Sequence, residues 1–139
     1  MEEKFYTLKG YALLEGNKIT TSMEDYLEMI YRIHQQGEAV RISTLAEQLN
    51  VKPSSATKMV AKLKEEALVA SEKYGHITLT PAGHKLGKYL VFRHDTLHTF
   101  LCIINNTQNE LTQVEKIEHF FNITTVMNIA QWLKNNHPV

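Results

Sequence analysis

The sequence predicts a mainly α-helical protein, with a winged helix-turn-helix followed by an all-helical part. From Met23 onward, apolar residues recur at spacings of three and four, the period of an amphipathic helix. A short helix, a tight turn and a longer basic helix come next, and this order is typical of the helix-turn-helix. Two brief β-branched runs then indicate a hairpin, which in this position forms a wing.

The first helix is expected to begin after Ser22, its candidate N-cap, and to end near Gly37. A second, two-turn helix is predicted over residues 43–49, with Ser43 as its cap. Pro53 suits the first position of a third helix, because that position needs no N–H donor. The third helix should run to about residue 67.

The hairpin is predicted from strands at residues 68–70 and 77–79, joined by a turn that contains Gly75. Thr80 is the candidate N-cap of a long helix that reaches residue 104. Two further helices are expected over residues 112–121 and 125–135, the latter capped by Thr124. The predicted organisation is therefore an N-terminal extension, a winged helix-turn-helix domain and an all-helical domain, over residues 1–20, 21–80 and 81–139.

Composition limits what the chain can be. Its 139 residues, 43% hydrophobic and 22% charged, fit a small folded protein. Cys102 is the only cysteine, which excludes an intrachain disulfide and a cysteine-rich zinc or iron–sulfur site. No leader pattern occurs at the amino terminus, and no apolar run approaches the roughly 20 residues of a spanning helix. We expect a cytoplasmic protein with no membrane partner.

The formal net charge of zero conceals a segregated distribution. Lysines gather on the third helix and the wing, where a phosphate backbone would lie in a helix-turn-helix complex. A solvated helix face is the alternative explanation, but the preceding turn and the following wing favour DNA binding. The residues expected to contact DNA are Arg41, Ser54, Ser55, Thr57, Lys58, Lys62, Lys73 and Tyr74.

Two acidic clusters have the spacing of one helical face. Asp25 and Glu28 are three residues apart, and Glu115, Glu118 and His119 follow at three and four. The second cluster lies close to the zinc-peptidase signature H-x-x-E-H, with Glu115 in place of the first histidine. That replacement makes the site richer in oxygen and poorer in nitrogen, which favours harder cations.

The sequence resembles the diphtheria-toxin-repressor family of metal-dependent regulators, and within it the branch of manganese transport regulators. The resemblance covers about residues 20–136 and includes the stretches TSMEDYLE, KPSSATKMV and EKY, the pair Arg93-His94 and the stretch EKIEH.

The resemblance implies a two-metal site whose ligands are Asp25, Glu28, His94, Glu115, Glu118 and His119. The resemblance favours Mn²⁺, because the iron-sensing branch has Met at the position of Asp25 and Cys at that of Glu115. Two Mn²⁺ ions per chain are expected, and Fe²⁺ and Zn²⁺ are the alternatives. Four carboxylates and two neutral imidazoles carry a formal charge of about −4, which two divalent ions balance. Whether His98, one turn beyond His94, is also a ligand stays open.

The expected function is a manganese-responsive transcriptional repressor of metal-ion uptake genes that catalyses no reaction. Metal should fix the angle between two DNA-binding heads of a homodimer, so that both meet a pseudo-palindromic duplex operator. Dimerisation is predicted from the apolar surplus of the carboxy-terminal helices. The alternatives are an iron- or zinc-responsive regulator of the same family, a winged-helix repressor that senses an organic ligand, and a metal-dependent hydrolase.

Overall fold

The structure, a computed structural model, describes residues 18–72 and 75–136. Their contacts divide the chain into a first unit, Met1–Tyr89, and a second, Leu90–Val139. No helix within the described ranges is long and apolar enough to cross a membrane. The elements in chain order are α1 (Thr21–Gln35), α2 (Ile42–Leu49), α3 (Pro53–Glu65), β1 (Val69–Ser71), β2 (Ile77–Leu79), α4 (Pro81–Asn105), α5 (Leu111–Ile117), a 3-10 helix (Glu118–Phe120) and α6 (Ile123–Asn136).

Helix α1 begins two residues earlier than the sequence predicted. Thr20, and not Ser22, is the N-cap: its hydroxyl oxygen accepts a hydrogen bond from the Met23 amide at 3.1 Å. The helix ends before Gly37, whose φ of 81° lies in the left-handed region that favours glycine. Most apolar residues of α1 are buried, with Leu27 and Ile30 fully enclosed.

Helices α2 and α3 form the predicted helix-turn-helix. Arg41, and not Ser43, is the N-cap residue of α2. Asn50 ends α2 with a φ of 55°, a left-handed conformation that asparagine tolerates better than most residues. Pro53 opens α3 as expected, and the helix stops at Glu65, two residues short of the predicted end.

The wing is a two-stranded antiparallel hairpin with Val69 opposite Leu79 and Ser71 opposite Ile77. Val40 lies on the other side of β2, where its carbonyl accepts a hydrogen bond from the Ile77 amide at 2.8 Å. Strand β2 is therefore hydrogen-bonded on both sides, to β1 on one side and to Val40, the residue before the α2 cap, on the other.

Helix α4 starts in close contact with the end of α3. The Thr80 hydroxyl donates to the Ala67 carbonyl at 2.7 Å and accepts from the Gly83 amide at 3.0 Å. A Cβ atom on Gly83 would lie 1.8 Å from the Leu68 carbonyl oxygen, so only glycine fits there. The hydrogen bond from the Gly83 amide to the Thr80 hydroxyl confirms Thr80 as the predicted N-cap of α4.

The second unit is helical and has its own apolar cluster. Leu97 and Leu101 of α4 pack with Val114 of α5, and four partly buried residues surround them: Phe100, Ile117, Phe121 and Ile129. The predicted single helix over residues 112–121 is wrong, since α5 ends at Ile117 and a 3-10 helix follows. Asn122, and not Thr124, caps α6 by accepting from the Thr125 amide at 2.8 Å.

Taken by themselves, the winged helix-turn-helix elements and the helices of the second unit match the predicted fold class. The predicted extension over residues 1–20 lies outside the described residues as far as residue 17.

Candidate metal centre and nucleic-acid interface

His94 and Glu118 form the most enclosed pair of predicted ligands. The Nδ1 atom of His94 lies 3.2 Å from Oε1 of Glu118, and their side chains are 13% and 4% exposed. This contact is a hydrogen bond when Nδ1 carries the ring hydrogen, because an ionised carboxylate can only accept. Either imidazole nitrogen can bind a metal, and the carboxylate beside Nδ1 fixes the orientation of the ring.

Arg93 and His119 form a second contact beside the first. An Nη atom of Arg93 lies 3.4 Å from Nδ1 of His119, and Arg93 is 2% exposed. Two consecutive residues of α4 thus face two consecutive residues of the 3-10 helix. A buried guanidinium places a permanent positive charge beside the predicted ligands, which offsets part of the repulsion among carboxylates.

Glu115 differs in burial from the other ligands predicted on the same helix. It is exposed, whereas Glu118 is 3% exposed and His119 is intermediate. The three residues do not lie on one continuous α-helix as predicted, because the chain changes to a 3-10 helix at Glu118. Each residue of a 3-10 helix turns by about 120°, against about 100° in an α-helix, so the side chains no longer follow the α-helical spacing.

The two predicted ligands of the first unit lie on α1. Asp25 is exposed, whereas the Glu28 side chain is 13% exposed. Arg32, one turn further on, donates to Oε2 of Glu28 through Nε at 3.1 Å and Nη2 at 2.9 Å. Sequence reasoning assigned no role to Arg32, although a glutamate four residues before an arginine is a recognisable helical ion pair.

His98 has a partner that the sequence did not indicate. Its Nε2 accepts a hydrogen bond from the Glu110 backbone amide at 3.1 Å and lies 3.7 Å from the Cys102 sulfur. Its ring is stacked on that of His94, with centroids 6.5 Å apart. Because Nε2 is occupied by a backbone donor, His98 connects α4 to the start of α5 and supports the neighbouring histidine from the side.

The donor atoms fit a divalent cation that prefers oxygen with some nitrogen. The His94–Glu118 pair offers one imidazole nitrogen and one carboxylate in a largely dry setting, and no cysteine lies among the predicted ligands. Carboxylate-rich sets of this kind suit Mn²⁺, and imidazole also suits Fe²⁺ and Zn²⁺.

The exposed face of α3 carries the predicted DNA contacts. Five of them are exposed in the structure, namely Ser54, Ser55, Thr57, Lys58 and Lys62. The Thr57 hydroxyl donates to the Pro53 carbonyl at 3.0 Å, within the first turn of the helix. Lys73 and Tyr74, which were predicted to contact DNA from the wing, lie outside the described residues.

Arg41 meets a wing residue that the sequence analysis did not single out. One of its Nη atoms lies 2.7 Å from Nε2 of His76, the residue before β2. The two residues are 35 positions apart, so only the hairpin's return past Val40 brings them together. No local sequence signal predicts such a pair.

Comparison with known proteins identifies the family. Residues 18–77 match the family described as "Iron dependent repressor, N-terminal DNA binding domain". A protein named HTH-type transcriptional regulator MntR, from Geobacillus thermodenitrificans strain NG80-2, is 44% identical over 112 residues, which cover 80% of this chain and 79% of that one. The chain belongs to the MntR family of HTH-type transcriptional regulators.

Solved structures agree with the MntR assignment. The manganese regulator SloR matches with a TM-score of 0.72 and 28% identity over 81% of this chain. ScaR with bound Zn²⁺ matches with a TM-score of 0.70 and 27% identity over 81% of this chain. The chain spans about half the length of these two regulators, 53% of each. The expectations of a metal-dependent, DNA-binding transcriptional regulator, and not an enzyme, are confirmed by these relatives.

Proposed function

We propose that this MntR-family chain is a manganese-responsive repressor of metal-ion uptake genes, which binds a pseudo-palindromic duplex operator as a homodimer in the cytoplasm. One observation carries the metal-sensing part of the proposal: an enclosed histidine–carboxylate pair, His94 and Glu118, in a regulator without a cysteine-based sensor. The relatives support the choice of metal, since SloR is described as a manganese regulator.

The proposed metal centre holds two Mn²⁺ ions per chain. Its ligands are Asp25, Glu28, His94, Glu115, Glu118 and His119, as the family resemblance implies. When bound, the ions supply positive charge that neutralises the four carboxylates. Zn²⁺ and Fe²⁺ are the alternatives, because the order of intrinsic affinities favours Zn²⁺ and because ScaR is described with Zn²⁺ bound.

Two of the proposed ligands are held by neighbouring side chains before metal binds. Glu118 orients the His94 ring through its contact with Nδ1, whereas Arg32 donates two hydrogen bonds to the Glu28 carboxylate and competes with a cation for it. The exposed carboxylates Asp25 and Glu115 must be drawn from water into the site. We expect the enclosed ligands to determine affinity more strongly than these exposed ones.

The DNA-reading part of the proposal rests on α3 and the wing. The exposed serines and Thr57 near the start of α3 are placed to meet base edges or phosphates in the major groove, and Lys58 and Lys62 to neutralise phosphates. The functional division that we propose has the DNA reader in residues 21–80 and the metal-binding and dimerising part in residues 81–139.

The homodimer is supported by apolar surface on the second unit. Phe120 is 82% exposed, Ile104 53% and Trp132 41%. Aromatic and branched side chains at this exposure are more typical of a subunit interface than of a monomer surface. A Phe120→Ser variant that remained dimeric in sedimentation would argue against the participation of this surface.

The decisive experiment measures operator binding by fluorescence anisotropy at fixed salt, first with a chelator and then with Mn²⁺, Fe²⁺ or Zn²⁺. We expect Mn²⁺ to tighten binding of the wild type strongly, Glu118→Gln to remove this response, and Asp25→Met to change which metal activates. Asp95→Asn is the matched control, because Asp95 is an exposed acid of α4 next to His94. Equal operator affinity with and without metal would reject the sensor.

A further inference from the structure

Two adjacent contacts join the entry of α2 to the wing. The Ile77 amide donates to the Val40 carbonyl at 2.8 Å, and the Arg41 guanidinium lies 2.7 Å from Nε2 of His76. The pairs 40 with 77 and 41 with 76 are neighbours in sequence on both sides. The backbone bridge between Val40 and Ile77 therefore brings the side chains of Arg41 and His76 within hydrogen-bonding distance.

The direction of this hydrogen bond follows from the atoms involved. A guanidinium has only donors, so Nε2 of His76 must accept. In the tautomer that accepts this bond, the ring hydrogen lies on Nδ1. A bond with a charged donor is shorter and stronger than one between neutral groups, in agreement with the 2.7 Å separation.

The position of Arg41 gives this bond a function. Arg41 is the N-cap residue of α2, within the helix-turn-helix, and His76 belongs to the wing. A planar guanidinium is well suited to bind phosphate, but a long arginine side chain loses much rotamer freedom when it does so. A fixed acceptor on the wing reduces that loss before DNA arrives.

We propose that His76 is a positioning residue for Arg41, whose guanidinium it holds in place to bind a phosphate of the operator backbone. The proposal rests on the proposed function, because it presumes that the wing and α2 meet duplex DNA. His76 acts through Arg41 and does not neutralise a phosphate itself. These two roles differ in their salt dependence, because each neutralised phosphate changes the slope of log K against log salt by about 0.9.

The test is a double-mutant cycle on the Mn²⁺-loaded full chain, measured by operator anisotropy over a series of salt concentrations. We expect His76→Leu to weaken binding roughly fivefold with an unchanged salt slope, because phosphate contacts are kept but less well prepared. Arg41→Leu should weaken binding further and lower the slope by about 1.8, which is about 0.9 for each of the two Arg41 side chains of the proposed homodimer. The double variant should bind no more weakly than Arg41→Leu alone, and His76→Gln, which keeps an acceptor, should recover part of the loss.

His34→Leu is the matched control, because His34 is an exposed histidine at the end of α1. Urea midpoints of all variants separate a folding defect from a binding defect, and His76→Ala replaces His76→Leu in the cycle if the latter does not fold. Wild-type affinity in the His76 variants, an equal loss in the Arg41→Leu background, or a lowered salt slope for His76→Leu would each overturn the proposal. Failure of the metal-loaded wild type to bind DNA would instead overturn the proposed function.

Discussion

Glu118 is buried with its carboxylate beside His94, whereas Glu115, three residues earlier, is exposed. At the scale of single residues, the sequence could not predict this difference in burial between the two glutamates. Spacing identified both glutamates as metal-ligand candidates, but their burial depends on where α5 ends. Arg32 and Arg93 received no role from the sequence for a related reason, because ligand spacing indicates the carboxylates and imidazoles but not the cations beside them.

Replacement of the enclosed carboxylate tests the centre most directly. We expect Glu118→Gln to lower Mn²⁺ affinity by more than tenfold, because the amide removes a negative charge and no longer orients His94 as a carboxylate does. Competition with a chelating dye measures this affinity without DNA. Asp95→Asn should bind Mn²⁺ as the wild type does, and an equal loss in both variants would show a general charge effect.

Arg32 provides a second test at the residue scale. In the structure, Arg32 must share Glu28 with any cation that binds there. We expect Arg32→Gln to tighten Mn²⁺ binding by a few fold, since a competing positive charge is removed. The pair is partly exposed, so stability should change by less than about 1 kcal/mol. Weaker binding of Mn²⁺ would mean instead that Arg32 orients Glu28 for the metal.

At the scale of elements, the sequence predicted which segments are helices and strands but placed several ends wrongly. The reason is the presence of alternative caps: Thr20, Thr21 and Ser22 can all cap α1, and Asn122 competes with Thr124 at α6. Only the backbone dihedrals decide between neighbours of equal chemistry. The 3-10 helix after Ile117 leaves no sequence signal, because an apolar period is not measurable over three residues.

The junction between α3 and α4 allows a prediction on stability. We expect Gly83→Ala to lower the free energy of unfolding by about 2 to 3 kcal/mol, because the added Cβ would overlap the Leu68 carbonyl and force backbone to move. Gly37→Ala is the comparison, since a Cβ there meets nothing within 4 Å and only the positive φ is strained. Its cost should be about 1 kcal/mol. Urea denaturation measures both, and equal midpoints would contradict the close approach at Gly83.

The loop before α5 gives a prediction on pH. The hydrogen bond from Thr107 lowers the pKa of Glu110, helped by bonds from Asn105 and Gln113, against an opposing effect of burial. A carboxyl whose folded pKa is depressed contributes stability above its ordinary pKa and loses it as pH falls through the folded value. We therefore expect Thr107→Val to reduce the loss of stability in acid. Urea unfolding at a series of pH values below about 5 measures this, with Thr112→Val, an exposed threonine of α5, as the control.

At the scale of the whole molecule, bound metal should raise the free energy of unfolding. Ligand that binds only the folded chain stabilises it by about 2.7 kcal/mol at a concentration one hundred times the dissociation constant. We expect Mn²⁺ to raise the melting temperature of the wild type and of Asp95→Asn, and to raise that of Glu118→Gln by half as much or less. Differential scanning calorimetry with and without chelator is the measurement, and an equal rise in all three proteins would place the bound metal elsewhere.

Trp132 is the only tryptophan in the sequence, and its ring meets that of Phe100 edge to face, with centroids 5.7 Å apart. Both residues belong to the second unit, so intrinsic tryptophan fluorescence is an optical probe of that unit alone. Far-ultraviolet circular dichroism, in contrast, records the helices of both units. Denaturation curves from the two signals can therefore be overlaid without any label, and a gap between them would show that the helices of the first unit melt separately from those of the second.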